Sequence, residues 1–137
     1  MFKGSQIPIW INVMQVLLTL IMLQQVYMFI FDHNAVISSG ITSSGIPDVN
    51  LFYEFAARTA VMAIISILVI ITQNPQHFLL VLFMNVLREG FETIIDPLYP
   101  LANAPMSPTG DFIAHVVIVA IEIFALITLY RITRKNA

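Results

Sequence analysis

Residues 7–31 read IPIWINVMQVLLTLIMLQQVYMFIF, without one Asp, Glu, Lys or Arg. At about 1.5 Å of rise per helical residue, the run is long enough to cross a hydrocarbon core about 30 Å thick. A cleaved signal peptide is the competing reading, but its apolar stretch is shorter, about 7–15 residues, and ends in small side chains. This run ends in Met28, Phe29, Ile30 and Phe31, so it is read as a membrane span.

The whole chain implies the same solvent. Of its 137 residues 58% are hydrophobic and 10% charged, with a mean hydropathy of +0.87. A soluble domain carries about 25% charged residues, so the usual polar coat is missing and lipid takes its place. There is no cysteine, which excludes disulfides, thiolate metal sites and thiol redox relays. A net charge of −2 gives no basic face for nucleic acid.

Outward from the first run, Asp32 to Asn50 break the apolar pattern with Gly40, Gly45, Pro47 and a cluster of Ser and Thr. That is loop chemistry, with room for a short extended piece at Ala35-Val36-Ile37. A second span is predicted at about 51–72, and Asn74-Pro75 makes a tight stop with Pro75 opening the next helix. The third runs over about 76–95 and is ended by Asp96-Pro97, with Pro100, Pro105 and Pro108 keeping the connection irregular. Asp111 is placed to cap the fourth, over about 111–130. The expected fold is all-α: one transmembrane domain over 1–137, an antiparallel four-helix bundle.

Lys3, Arg131, Arg134 and Lys135 share one side with the short 73–76 turn, and every Asp and Glu falls toward the other. By the positive-inside rule both termini are cytoplasmic. Trp10, Tyr27, Tyr53, Tyr99 and Tyr130 fall near span ends, as an interfacial aromatic belt requires.

The ionisable residues of spans two to four then share the outer half of the membrane. Glu54 and Arg58 open span two; Arg88, Glu89, Glu92 and Asp96 close span three; Asp111, His115 and Glu122 descend span four. Counted from Asp111, Glu122 lies about 16 Å in, close to the bilayer centre. Helical spacing puts Asn85, Arg88, Glu92 and Asp96 on one stripe, and His115 and Glu122 on another. A charge at the centre of a lipid-facing helix costs about 2.5–3.5 kcal/mol, so these groups are expected to pair with one another or meet water. Glu122, deepest of the set, is expected either to carry a proton or to pair with His115 or an arginine of another span. Asn12, Gln15 and Thr19 form a milder stripe on span one, of the kind that glues helices by hydrogen bonds.

Each pair has a structural and a functional reading. Glu54 with Arg58, Arg88 with Glu92, and His115 with Glu122 either clasp helices together or face a ligand. The methionines read as gap-filling core. No metal is expected, because the Glu-x-x-His repeat of di-metal bundles is missing and Glu89-x-x-Glu92 is the nearest approach to it.

A Ser- and Gly-rich first loop, Phe55-Ala56-Ala57-Arg58 opening the second span, and Leu87-Arg88-Glu89-Gly90-Phe91-Glu92 closing the third before Asp96-Pro97 together resemble the DoxX-like group of small bacterial membrane proteins. The resemblance implies a four-helix protein of the bacterial inner membrane, in some relatives encoded beside oxidoreductases that deliver electrons to quinone. Arg58 and Arg88 are the positions matching that pattern.

The functional expectation is a polar intramembrane pocket open to the outer side, built from Arg58, Arg88, Glu92, His115 and Glu122 with Glu54, Glu89 and Asn85. It would bind a quinone- or lipid-like molecule, or serve an accessory subunit of a membrane complex through a membrane-protein partner or a second copy. Two alternatives stand beside it. One is a proton- or ion-coupled transport subunit using Glu92, His115 and Glu122 as a relay; the other is a membrane enzyme with Glu89 and Glu92 as acid and base.

Overall fold

The computed structural model describes residues 7–41, 45–99, 103 and 106–135. Lys3, Pro100 and Pro105, used above for orientation and for the second connection, lie outside the described residues. Among the described residues the fold is all-helical: α1 (Ile9–Phe31), α2 (His33–Ser38), α3 (Ile46–Thr72), α4 (Pro75–Leu98) and α5 (Pro108–Lys135). Three segments among the described residues are long and apolar enough to cross a membrane: α1, the Asp48–Thr72 part of α3, and α5. At 24 residues α4 is of similar length, but it carries Arg88, Glu89, Glu92 and Asp96 near its C-terminal end.

The first connection corrects the sequence reading. Ala35-Val36-Ile37 is not extended but lies inside α2, whose first turn is capped by Asp32 Oδ1 accepting from the Ala35 N–H at 3.1 Å. An apolar run this short does not distinguish strand from helix by periodicity, and the cap decides it. Helix α3 also starts earlier than expected, because Pro47 opens it instead of prolonging the loop, and Gly45 enters at φ 147°, a region glycine tolerates best.

The turn between α3 and α4 is as the sequence predicts. Gln73 ends α3 in the left-handed region at φ 52°, and Asn74 accepts from the N–H groups of Gln76 and His77 ahead of Pro75. Two other ends move. Helix α4 runs through Asp96-Pro97 to Leu98, since a proline in the last turn forfeits only one ladder bond and the Tyr99 N–H still reaches Ile95 O at 2.9 Å. Helix α5 begins at Pro108, and Ser107, not Asp111, supplies the cap through Oγ accepting from the Gly110 N–H at 3.2 Å. Asp111 sits in the first turn, where a carboxylate is favoured by the helix dipole.

The long helices pack as two close pairs, α1 with α3 and α4 with α5, with a sparser seam between the pairs. Against α1 the buried stripe of α3 is Phe52, Ala56, Thr59, Ala63, Ser66 and Val69, whose small members let the backbones approach closely. The apolar core lies at the end where early α1 and α4 meet late α3 and α5: Ile11, Val69, Phe78, Val81, Leu82, Ala125 and Leu129. Next to it, Gln15 of α1 ties the pairs together. It donates to Ser66 Oγ at 3.0 Å and accepts from Asn85 Nδ2 at 2.9 Å, while Gln73 Nε2 donates to Asn12 Oδ1 at 2.7 Å. The expected hydrogen-bonding stripe on α1 is thus real for Asn12 and Gln15, whereas the Thr19 hydroxyl bonds back to Gln15 O on its own helix.

The outer surface is apolar. Leu20, Ile64, Leu68, Leu80, Phe83, Phe91, Phe124 and Ile127 are exposed, while Gln15, Asn85, Glu89 and Glu122 are buried. A protein with polar groups inside and large aliphatic side chains outside is built for lipid contact.

Candidate functional site

The buried stripe of α4, Phe78, Val81, Leu82 and Asn85, continues one turn further to Glu89. This places a carboxylate against α5 at the end of the bundle opposite the apolar core. Glu89 Oε1 is paired with Arg88 Nη2, and Arg88 Nε lies 3.9 Å from Glu92 Oε1. His115 of α5 completes the group: Nδ1 is 3.2 Å from Glu89 Oε2, and Nε2 is 3.2 Å from Asp96 Oδ2 and 3.8 Å from Asp111 Oδ1. Both ring nitrogens face carboxylates. An imidazole can donate at both only when doubly protonated; with one proton, one of the two contacts requires a carboxyl that supplies its own.

The arrangement differs in phase from the stripe expected on α4. Asn85 and Glu89 face the interior, while Arg88, Glu92 and Asp96 lie along its flank, partly exposed. His115 partners Glu89 across the helix pair and does not partner Glu122. Glu122, 1% exposed, has both carboxyl oxygens buried and accepts no hydrogen bond from any described residue. Glu54 and Arg58 pair at 2.9 Å, with Asn50 Nδ2 also donating to Glu54, but their side chains are 49% and 80% exposed and stand apart from the α4/α5 group.

Among the described residues, clefts open along the sparse seam between the helix pairs. One, of about 350 Å³ between α3 and α4, is lined by Phe55, Thr59, Met62, Met84 and Leu87 together with Arg58, Arg88 and Glu92. It is the place where the two arginines share a surface; Arg88 Nε itself is a buried atom that makes no hydrogen bond among the described residues. The other, of about 300 Å³ between α1 and α5, is lined by aliphatic side chains, Trp10 and Glu122.

Two overlapping three-ligand sets also form around His115: Glu89 and Glu92 with His115, and Asp96 and Asp111 with His115, each with its ligand atoms within 4.8 Å of one another. Local spacing pointed away from metal because it looks along one helix, and these sets arise across two. In the first set the Arg88 guanidinium already occupies the carboxylate that an ion would need. In the second, Asp96 and Asp111 are the carboxylate donors and Glu89 would orient the ring from behind. Asp96, Asp111 and Trp10 are contributors that sequence reasoning left outside its site. Trp10 carried a signal, an aromatic at a span end, but nothing in its spacing pointed to α5.

No family model, no curated protein and no solved structure matches the chain.

Proposed function

We propose that this is a four-span membrane protein of the bacterial inner membrane, with both termini cytoplasmic, that binds an amphipathic molecule in the α3/α4 cleft. The fourth span is α4: Arg88, Glu89, Glu92 and Asp96 each have an ion-pair partner within the α4/α5 pair, and Leu80, Phe83, Leu87 and Phe91 are left to face lipid. Orientation rests on Arg131, Arg134 and Lys135 closing α5 while the acidic residues gather at the other end. The ligand is quinone- or lipid-like, an apolar tail with a head group that accepts hydrogen bonds, and the protein acts as a ligand-holding or accessory subunit of a membrane complex.

The observation that carries this reading is the meeting of Arg58 and Arg88 at one largely apolar cleft. A quinone carbonyl or a lipid ester or phosphate oxygen is an acceptor for guanidinium N–H groups. The relay alternative has less support, since His115 is engaged by Glu89 and Asp96 instead of Glu122. The acid–base alternative has less as well, since Glu89 is buried and held by two partners.

Native mass spectrometry of the protein released from detergent tests the proposal. A retained quinone or lipid mass is expected, weakened by about tenfold in affinity for Arg58→Gln. Absence of any adduct, with no saturable binding of a short-chain quinone or a phospholipid, would refute it.

A further inference from the structure

Asp96 near the end of α4 and Asp111 in the first turn of α5 converge on a single atom, Nε2 of His115. Among the described residues His115 is the only ion-pair partner of either aspartate. The ring makes its hydrogen bond at the other nitrogen, where Nδ1 lies 3.2 Å from Glu89 Oε2, and Arg88 holds the second oxygen of that carboxyl. With Nδ1–H donating to Glu89, the lone pair of the neutral imidazole is left on Nε2, the nitrogen the aspartates approach. Nε2 makes no hydrogen bond to a described residue, although Asp96 Oδ2 stands 3.2 Å and Asp111 Oδ1 3.8 Å away. Three donor atoms from two helices thus face one another without a proton shared among them. A carboxylate behind the ring is also the usual setting of a metal-ligating histidine, since it fixes the tautomer and the ring orientation.

We propose that Asp96, Asp111 and His115 form a binding site for a divalent transition-metal cation, zinc fitting the donors best. Bonds of about 2.0–2.2 Å to a tetrahedral zinc set its donor atoms about 3.3–3.6 Å apart. The two distances from Nε2 straddle that range, and all three donor atoms lie within 4.8 Å of one another. One imidazole nitrogen beside two carboxylate oxygens suits zinc, whereas magnesium and calcium prefer an all-oxygen shell with more ligands. Both aspartates are partly exposed at helix ends, so an ion enters from water and the fourth corner of its tetrahedron stays open. Any proton on the ligands leaves as the metal binds, so the site requires no particular ionisation beforehand. The ion would clasp the end of α4 to the start of α5. None of its ligands lines the α3/α4 cleft, so the site stands or falls apart from the ligand proposed there.

Cobalt reports the site directly, because four-coordinate Co2+ absorbs visible light far more strongly than six-coordinate Co2+. Tag-free protein in maltoside micelles, stripped of metal with EDTA and freed of the chelator, is titrated with Co2+ and then with Zn2+ as competitor. Saturable uptake of one ion per chain with the strong four-coordinate bands is expected, and zinc should displace it. Asp96→Asn and Asp111→Asn should each weaken binding by at least about tenfold, and His115→Gln should abolish the bands. The two aspartate variants alter partly exposed side chains on different helices, so either one serves if the other loses its far-UV circular dichroism. His33→Gln and His77→Gln, which remove the other two imidazoles of the chain, should leave uptake unchanged. Absence of saturable uptake, a weak six-coordinate spectrum alone, unchanged affinity in both aspartate variants, or loss of the bands on replacing His33 or His77 would each overturn the proposal.

Discussion

Replacing Glu89 by Gln isolates what the α4/α5 charge group contributes to the fold. The Glu89 side chain is 5% exposed and the Arg88 side chain 22%, so the substitution leaves a largely buried guanidinium without its main counter-charge and costs His115 a carboxylate. Breaking a fully buried pair from one side costs about 3–5 kcal/mol. Arg88 has a fallback in Glu92, 3.9 Å away and one third exposed, which lowers the expected loss to about 2–3 kcal/mol. Arg88→Gln should cost at least as much, because the carboxylate it strands is the more deeply buried of the two. The double variant Arg88→Gln/Glu89→Gln removes both charges, and its loss should be under about 1.5 kcal/mol, well below the sum of the singles. Reversible unfolding in mixed micelles, followed by far-UV circular dichroism and by Trp10 emission, measures all three. A loss below about 0.5 kcal/mol for Glu89→Gln, or additive losses in the double variant, would refute the claim that these groups form one dry, coupled unit.

Glu54→Gln should change stability by less than about 0.5 kcal/mol in the same assay, since that pair is exposed at both ends. Gln15→Leu removes the bridge between α1, α3 and α4 and strands Asn85, for an expected loss of about 1–2 kcal/mol. Ala63→Leu forces the closely packed α1/α3 backbones apart and should cost about 1–3 kcal/mol, read by the same unfolding measurement. Single cysteines placed at Ser38 and at Arg134 in the cysteine-free chain should label from opposite sides with a membrane-impermeant maleimide; labelling from the same side would contradict the orientation of α5.

The apolar runs made most of the architecture readable, because each helix that faces lipid advertises itself by length and by the charges it avoids. The turn at Gln73-Asn74-Pro75 was equally readable, since its cap and its proline act locally. Helix ends were less so where two signals competed: Ser107-Pro108 outranked Asp111, and Pro97 was tolerated inside a last turn. On α4, spacing put Arg88, Glu92 and Asp96 on one stripe with Asn85, whereas the buried stripe continues from Asn85 to Glu89. Moving from Arg88 to Glu89 turns the helix by about 100°, and which of the two points inward is decided by the buried residues that share the stripe, apolar Phe78 and Leu82 and the hydrogen-bonded Asn85 before it. Partnering across helices was not readable at all. His115 satisfies i,i+7 spacing to Glu122 along α5 and close approach to Glu89 across it, and only the packing of α4 on α5 selects the second.

In lipid, apolar side chains gain little by leaving the solvent, so helices associate through close backbone approach and through polar contacts. The two pairs divide these devices between them. Ala56, Ala63 and Ser66 bring α3 against α1, while Glu89 and Asp96 of α4 join His115 of α5. Arg88, which lines the α3/α4 cleft, is also the partner of Glu89, so under the proposed function a head group binding at Arg88 would compete with Glu89 for the guanidinium. Arg58 has no such double duty. Its only counter-charge among the described residues is an exposed neighbour on its own helix, so a ligand could engage it without loosening any pair of helices. Under the proposed function, binding and stability should separate at that residue: a change at Arg88 should alter both, whereas a change at Arg58 should alter binding alone.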